Sequence, residues 1–147
     1  MAAQPLIRTP ADAGKRLHVL GVTVDVLASP DETGDVQITR QSGPADAGPP
    51  PHSHGWDESF YITRGEVIFT CAGETSVCGT GSLVFVPAGT IHAFKFGADG
   101  GEMLEYTGRR SNAIAMFTAV DREVPPGPPD LEKAVQVLHD HGVTVHG

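Results

Sequence analysis

A short stretch near the middle of the chain combines histidine and acidic residues at a spacing that suits metal binding. It runs from Pro49 to Gly65 and reads PPPHSHGWDESFYITRG. His52 and His54 are two residues apart, so an extended strand would point both imidazoles to the same face. Three turn-forming residues then allow Glu58 to return to that face. Two nitrogens and one carboxylate oxygen suit iron, manganese, nickel, copper or zinc better than calcium or magnesium.

A second stretch supplies another histidine. It runs from Gly81 to His92 and reads GSLVFVPAGTIH. A predicted strand, Ser82 to Val86, ends at Pro87, and Gly89 favours a tight turn before the chain returns. From the start of the returning strand, His92 can reach the same point as the first three ligands. Four protein ligands leave one or two positions of a five- or six-coordinate metal for water, dioxygen or substrate.

Together the two stretches resemble the two sequence motifs of the cupin superfamily. The residues that carry the resemblance are His52, His54, Glu58 and Gly65 in the first stretch and Gly81, Pro87, Gly89 and His92 in the second. The resemblance implies a jelly-roll barrel with one divalent transition metal in its bore, held by the three histidines and the glutamate. It also implies that the glutamate is the more mobile ligand and can act as a catalytic proton acceptor.

Two further points follow from the same resemblance. Many relatives are homodimers whose N-terminal strands cross to the partner, which implies a homodimer here. The second motif commonly ends in asparagine four residues after the histidine, whereas this chain has Phe96. That departure bears on the polarity of the pocket rather than on metal binding.

The rest of the chain predicts an all-β fold of antiparallel strands. Its 147 residues suit one domain, and 18 glycines and 12 prolines separate short β-prone runs. Candidate strands are Arg16–Ala28, Asp35–Gln41, Ser59–Thr63, Glu66–Cys71, Thr75–Cys78, Ser82–Val86, Ile91–Phe96, Glu102–Thr107 and Asn112–Val120. The connections include the glycine-containing segments Ala72–Glu74 and Gly97–Gly101.

One helix is predicted near the C-terminal end. Its apolar face consists of Leu131, Ala134, Val135 and Leu138, with Asp130 as N-cap and Gly142 as the C-terminal stop. We expect this helix to pack outside the barrel. Residues 1–124 are then the barrel with its N-terminal strand, and residues 125–147 are a proline-rich connector and helix of the same domain.

Alternation along the strands predicts an apolar pocket around the metal. Counting from Glu58 and His92 places Phe60, Ile62, Phe94 and Phe96 on the metal-facing side, where each is pocket lining or ordinary core. Trp56 is either the rim of the pocket or a packed turn residue. Arg40 either binds an anionic group or lies in solvent. Glu105 and Tyr106 are adjacent on one strand, so at most one of them faces inward. Tyr106 is the preferred inward residue. If the strand has the other register, Glu105 faces inward and is the candidate base.

The net charge and the length of the apolar runs limit which partners the protein can bind. A net charge of −8 disfavours nucleic acid, and runs such as Leu83–Val86 and Ala113–Val120 are far too short to span a membrane. No signal-peptide pattern is present at the start, so we expect a cytoplasmic protein.

Cys71 and Cys78 flank a probable turn, and we expect them to be reduced and not directly opposed. A two-residue turn there would place Thr70 opposite Val77 and Cys71 opposite Ser76.

These observations favour an enzyme that acts on a small, partly apolar or aromatic anionic substrate. Three neutral imidazoles and one carboxylate leave a divalent ion with one net positive charge, which attracts an enolate, catecholate or carboxylate. A dioxygenase is the leading hypothesis. The alternatives are a redox-silent isomerase, cyclase or lyase, and a cupin that binds a small molecule without turning it over.

Overall fold

One curled antiparallel sheet makes up most of the molecule. The structure is a computed structural model that describes residues 3–12 and 14–147. Within those residues the strands are β1 (Arg16–Val19), β2 (Val22–Ala28), β3 (Gln37–Gly43), β4 (His52–His54), β5 (Glu58–Cys71), β6 (Glu74–Gly79), β7 (Leu83–Val86), β8 (His92–Thr107) and β9 (Val143–Val145). The helices described there are α1 (Pro30–Thr33), α2 (Ala113–Glu123) and α3 (Leu131–Asp140).

The sheet confirms the predicted jelly-roll class. Its strands follow the order β1-β2-β3-β8-β4-β9, and β5 joins β8 to β6 and β7. The two longest strands, β5 and β8, pair from Ser59 opposite Tyr106 to Cys71 opposite His92. Their inward side chains form the core, as alternation predicts: Phe60, Ile62, Phe94 and Phe96 are all buried.

The two long strands were each predicted as two shorter ones. Strand β8 continues through Gly97–Gly101, which the sequence indicated as a connection. Glycine is required there because β5 and β8 approach each other closely. A Cβ atom at Gly101 would lie 2.9 Å from both the Glu66 carbonyl oxygen and Phe96 Cδ1. The glycines therefore bend a continuous strand instead of ending it.

The strand predicted over residues 112–120 is wrong, because this segment forms helix α2. Ala113, Met116, Phe117 and Val120 are buried and recur at helical spacing. That buried face packs against β1 and α3. A short apolar run does not by itself distinguish a buried strand from a helix, and here the packing partners decide.

The predicted C-terminal helix is present as α3. Asp130 caps it by accepting a hydrogen bond from the Lys133 backbone N–H at 3.0 Å, and Gly142 follows its end at φ 83°. The buried face differs from the prediction, because Val137 is buried and Leu131 and Val135 are exposed. The helix packs against α2 and β9, and its Leu138 reaches the cavity described below.

In the β5–β6 hairpin the two cysteines are not directly opposed, as predicted, but the residues that face them differ from those predicted. Its turn is Ala72-Gly73, both at positive φ, so Cys71 lies opposite Glu74 rather than Ser76. Cys78 lies opposite Val67, and both cysteines are free. Within the described part of the chain, no helix is both long and apolar enough to cross a membrane.

Candidate metal centre

Three imidazoles meet where β4 lies beside the start of β8. His52 and His54 come from β4, and His92 is the register partner of His52. One ligand atom from each of the three lies within 4.8 Å of the others. The ring centroids of His52 and His92 are 4.2 Å apart, and those of His54 and His92 are 5.1 Å apart. The two motifs therefore converge as the sequence predicts.

Backbone carbonyls fix the protonation of all three rings. The Nδ1 atoms of His52, His54 and His92 lie 2.8, 3.0 and 2.8 Å from the carbonyl oxygens of Pro50, Trp56 and Thr90. Because a carbonyl oxygen only accepts, each Nδ1 carries the proton and donates it. Each neutral ring is thus left with an unprotonated Nε2, which is the arrangement that metal-binding histidines adopt.

Glu58 brings a carboxylate to the same place. Its Oε2 lies 3.2 Å from His54 Nε2 and 3.0 Å from His92 Nε2. Asp57 anchors the turn that precedes it by accepting a hydrogen bond from the Ala88 backbone N–H at 2.8 Å. Burial opposes ionisation of Glu58, but hydrogen bonds and charge interactions with the two imidazoles outweigh burial and lower its pKa.

The donor set fits a divalent transition metal. Three unprotonated nitrogens and a carboxylate face one another, and none of them can donate to the others while the rings are neutral. His54 Nε2 is buried and has no hydrogen-bond donor near it. Burial and the neighbouring His92 lower the pKa of His52 to about 4, which keeps it neutral at pH 7. A positive ion among the three imidazoles would satisfy their free nitrogens at once, and Glu58 lies beside two of them.

Glu58 also affects the pKa of His92. Burial lowers that pKa, but the hydrogen bond to Glu58 and the charge of its carboxylate raise it by more. A metal ion bound at His92 Nε2 would compete with a proton for the same nitrogen.

A second carboxyl group, Glu105, faces the centre. It is 3 % exposed and accepts a hydrogen bond from Thr39 Oγ1 at 3.3 Å. Burial, and then the charge and hydrogen bonding of Glu58, raise its pKa well above the ordinary value. The preferred inward residue, Tyr106, is instead 48 % exposed on the outer face. The register explains this correction, because Glu105 pairs with the inward-facing Phe60.

A small apolar cavity of about 60 Å³ adjoins the metal ligands. Beside the ligands and Glu105 it is lined by Val19, Leu20, Val22, Val24, Gln41, Pro49, Pro50, Phe60, Phe94, Met116, Phe117, Leu138 and Val143. Sequence reasoning missed the contributions of the β1–β2 turn and the two helices. The helical spacing of buried residues in α2 was the available signal for one of them.

Besides Tyr106, four predicted pocket residues lie outside the cavity lining. Ile62 and Phe96 are fully buried in the core and do not line the cavity. Trp56 is a packed turn residue whose ring stacks on His54, with centroids 4.1 Å apart and an interplanar angle of 11°. Arg40 is not near the cavity, because it binds Asp25 at 3.1 Å on the other face of its strand. Of the four predicted aromatic and aliphatic lining residues, Phe60 and Phe94 therefore remain.

Comparison with known proteins agrees with this geometry. Residues 41–106, which include all four candidate ligands, match the family model of the cupin domain. Residues 41–106 are therefore identified as a cupin domain. No curated protein matches it.

Solved structures of cupins resemble this one in fold. An RmlC-like cupin from Shewanella frigidimarina is 16 % identical, with a TM-score of 0.66 over 78 % of this chain and 99 % of that chain. The polyketide cyclase RemF from Streptomyces resistomycificus is 23 % identical, with a TM-score of 0.59 over 71 % and 78 %. A predicted oxalate decarboxylase from Thermotoga maritima is 21 % identical, with a TM-score of 0.59 over 69 % and 97 %. At these identities the likeness shows the fold, and the reactions named differ from one another.

Proposed function

We propose that this cupin is a metal-dependent dioxygenase that acts on a small, partly apolar anionic substrate. The observation that carries the proposal is the convergence of three imidazoles, each fixed by a backbone carbonyl, with the Glu58 carboxylate beside a small apolar cavity. The metal would be held by His52, His54, His92 and Glu58. Iron, manganese, nickel, copper and zinc all suit this donor set.

When bound, the metal supplies a Lewis acid for an anionic substrate and, if it is redox-active, a centre at which that substrate reacts with dioxygen. The protein's own residues supply the surroundings. Phe60 and Phe94 from the sheet and Met116 from α2 exclude water from the cavity. An apolar wall around one polar centre strengthens the attraction between the site and an anion. Glu58 can accept a substrate proton at its carboxylate.

Metal content is the first test. The full chain should purify with, or take up, one divalent transition metal per chain, measured by elemental analysis after removal of excess ions. The double variant His52→Ala, His54→Ala should retain only background metal. His139→Ala is the matched control, because His139 is exposed on α3 and should leave the metal content unchanged. A wild-type chain that stays metal-free in excess divalent ions would contradict the proposal.

Oxygen consumption is the second test. Protein loaded separately with Fe²⁺, Mn²⁺, Ni²⁺, Cu²⁺ or Zn²⁺ should be mixed with small enols, catechols and keto acids in an oxygen electrode. We expect oxygen uptake with at least one redox-active metal, and none with Zn²⁺ or with the double variant. Product formation without oxygen uptake would replace the dioxygenase by the second candidate.

The second candidate is a redox-silent isomerase, cyclase or lyase. The position of Glu105 favours it, because two carboxyl groups that line one cavity are suited to moving protons on a substrate. The similarity in fold to a polyketide cyclase is compatible with this chemistry. Saturable binding with no product under any metal would instead indicate a small-molecule-binding cupin.

A further inference from the structure

A second apolar cavity lies directly outside the first. This outer cavity has a volume of about 460 Å³. Its walls are the β1–β2 turn, the loop before β4 and the proline-rich connector that leads into α3. It is lined by His18, Leu20, Gly21, Val22, Gly48, Pro50, Val124, Pro125, Pro126, Gly127, Pro129 and Leu131.

Three residues line both cavities: Leu20, Val22 and Pro50. They form the partition between the inner cavity of about 60 Å³ and the much larger outer one. Val22 is a buried strand residue, and the Pro50 carbonyl accepts the hydrogen bond from His52 Nδ1. Both are therefore fixed by the sheet and the metal centre. Leu20 lies in the turn, outside the strand ladder, so its side chain can be changed without altering the sheet pairing or the metal centre.

The backbone at Leu20 indicates that its side chain is needed there. Leu20 and Gly21 form a two-residue turn between the paired residues Val19 and Val22, with φ of 51° and 88°. Turns with positive φ at both positions favour asparagine, aspartate or glycine, and a leucine in this conformation is strained. The local backbone thus opposes leucine, whereas the two cavities on either side provide a reason for a bulky apolar side chain.

We infer that Leu20 sets the length of ligand that the metal centre accepts, an inference that rests on the proposed metal-dependent function. The inner cavity has room for a small metal-binding head group. An apolar tail attached to that head must pass Leu20 to enter the outer cavity. The ligand class is therefore a small anionic or chelating head with a straight apolar tail, and Leu20 determines how long the tail can be.

The test uses straight-chain alkyl hydroxamates from two to eight carbons, titrated into Co²⁺-loaded full-length protein and followed by visible absorption. In the wild-type protein, affinity should stop rising once the tail reaches Leu20. In Leu20→Gly and Leu20→Asn, each further methylene should improve affinity by about fourfold, as expected for a buried methylene. Affinity for the two-carbon hydroxamate should stay within about twofold, because its tail is too short to pass the partition.

The variants are chosen so that misfolding does not obscure the result. Glycine and asparagine both prefer the backbone conformation at position 20, so relief of backbone strain should offset the packing that is lost with the Leu20 side chain. Leu131 lines only the outer cavity and is 68 % exposed. Leu131→Ala is therefore the matched control, and it should leave the wild-type length limit unchanged.

The outcomes separate the two proposals. If Co²⁺ binds through His52 and His54 but Leu20→Gly shows the same chain-length profile as the wild type, the role of Leu20 is disproved and the metal site stands. If the Co²⁺ spectrum is the same in the His52→Ala, His54→Ala variant, the metal site itself is disproved.

Discussion

The inner cavity has two sides that are built differently. One side, the ligand wall, consists of β4, the start of β5, and β8, and it carries the three histidines, Glu58 and Glu105. The other side, the cover, consists of the β1–β2 turn, α2 and α3. The wall lies within residues 41–106, which match the cupin family model, and the cover lies outside them.

The kind of contact also differs between the two sides. In the ligand wall, each histidine has a hydrogen bond to a backbone carbonyl. In the cover, the cavity-lining side chains are apolar. This contrast indicates that the wall determines which chemistry is possible and the cover determines which molecule reaches it. The predictions below test that division.

The largest effect is expected when a histidine of the ligand wall is removed. His92→Ala removes the imidazole that faces both His52 and Glu58. Metal affinity should fall by more than about 100-fold, beyond the effect typical of groups that only support a ligand. Competition with a chelator measures it. His139→Ala, which removes an exposed imidazole on α3, is the control and should change affinity little. Equal affinities in His92→Ala and the wild type would show that this histidine is not a ligand.

A smaller effect is expected from the second carboxyl group of the wall. Glu105→Leu leaves Glu58 without its polar neighbour, so metal affinity should fall by about 10- to 100-fold. Tyr106→Phe changes the adjacent, outward-facing residue, and both metal affinity and stability should stay within about 0.5 kcal/mol of the wild type. A larger loss in Tyr106→Phe than in Glu105→Leu would contradict the observed register.

The neighbours Glu105 and Tyr106 also show where sequence reasoning reaches its limit. The two-residue periodicity of a strand was enough to place the His52 and His54 side chains on one face, because both residues lie on the same strand. It could not choose between Glu105 and Tyr106, because that choice depends on how β8 pairs with β5. The convergence of the three histidines and the fold were therefore predictable from short motifs.

The cover was not predictable in the same way. Residues 112–120 form a helix because Met116, Phe117 and Val120 find β1 and α3 to pack against. No local signal places Leu20 at the cavity, and the residue even opposes the turn in which it lies. Contacts between segments distant in sequence decide both features.

Shortening a side chain of the cover should lower the stability of the protein and leave its metal affinity unchanged. Met116 is 8 % exposed and faces the inner cavity. Met116→Ala should lower the free energy of unfolding by about 2 kcal/mol, the lower end of the usual range, because the side chain already borders empty space. Urea unfolding of metal-free protein measures this. Met116→Leu conserves side-chain volume, so its free energy of unfolding should fall much less than that of Met116→Ala. A fall in metal affinity in either variant would argue against the division between wall and cover.

The smallest effect is expected on the outer face of the sheet, away from both sides of the cavity. Asp25 binds Arg16 at 2.7 Å and Arg40 at 3.1 Å, and its pKa is lowered, first by the hydrogen bond from Arg16. A lowered folded pKa contributes stability above the unfolded pKa, and this contribution is lost as pH falls through the folded value.

Asp25→Asn should therefore reduce stability at pH 7 by about 1 kcal/mol or less, because Arg16 is largely exposed. It should also make the unfolding free energy less dependent on pH below about 4, near the ordinary pKa of aspartate. Denaturant titrations of metal-free protein at a series of pH values measure both effects. An acid dependence equal to that of the wild type would show that this carboxylate does not contribute.

The pairing of β4 has a consequence for biosynthesis. Only His52 of this strand pairs with β8, whereas all three of its residues pair with β9, and Ser53 Oγ also lies 2.7 Å from His146 Nε2. Two of the candidate metal ligands are thus supported by a strand that is synthesised some ninety residues later. The candidate site therefore has all of its supports only after residues 143–145 have left the ribosome.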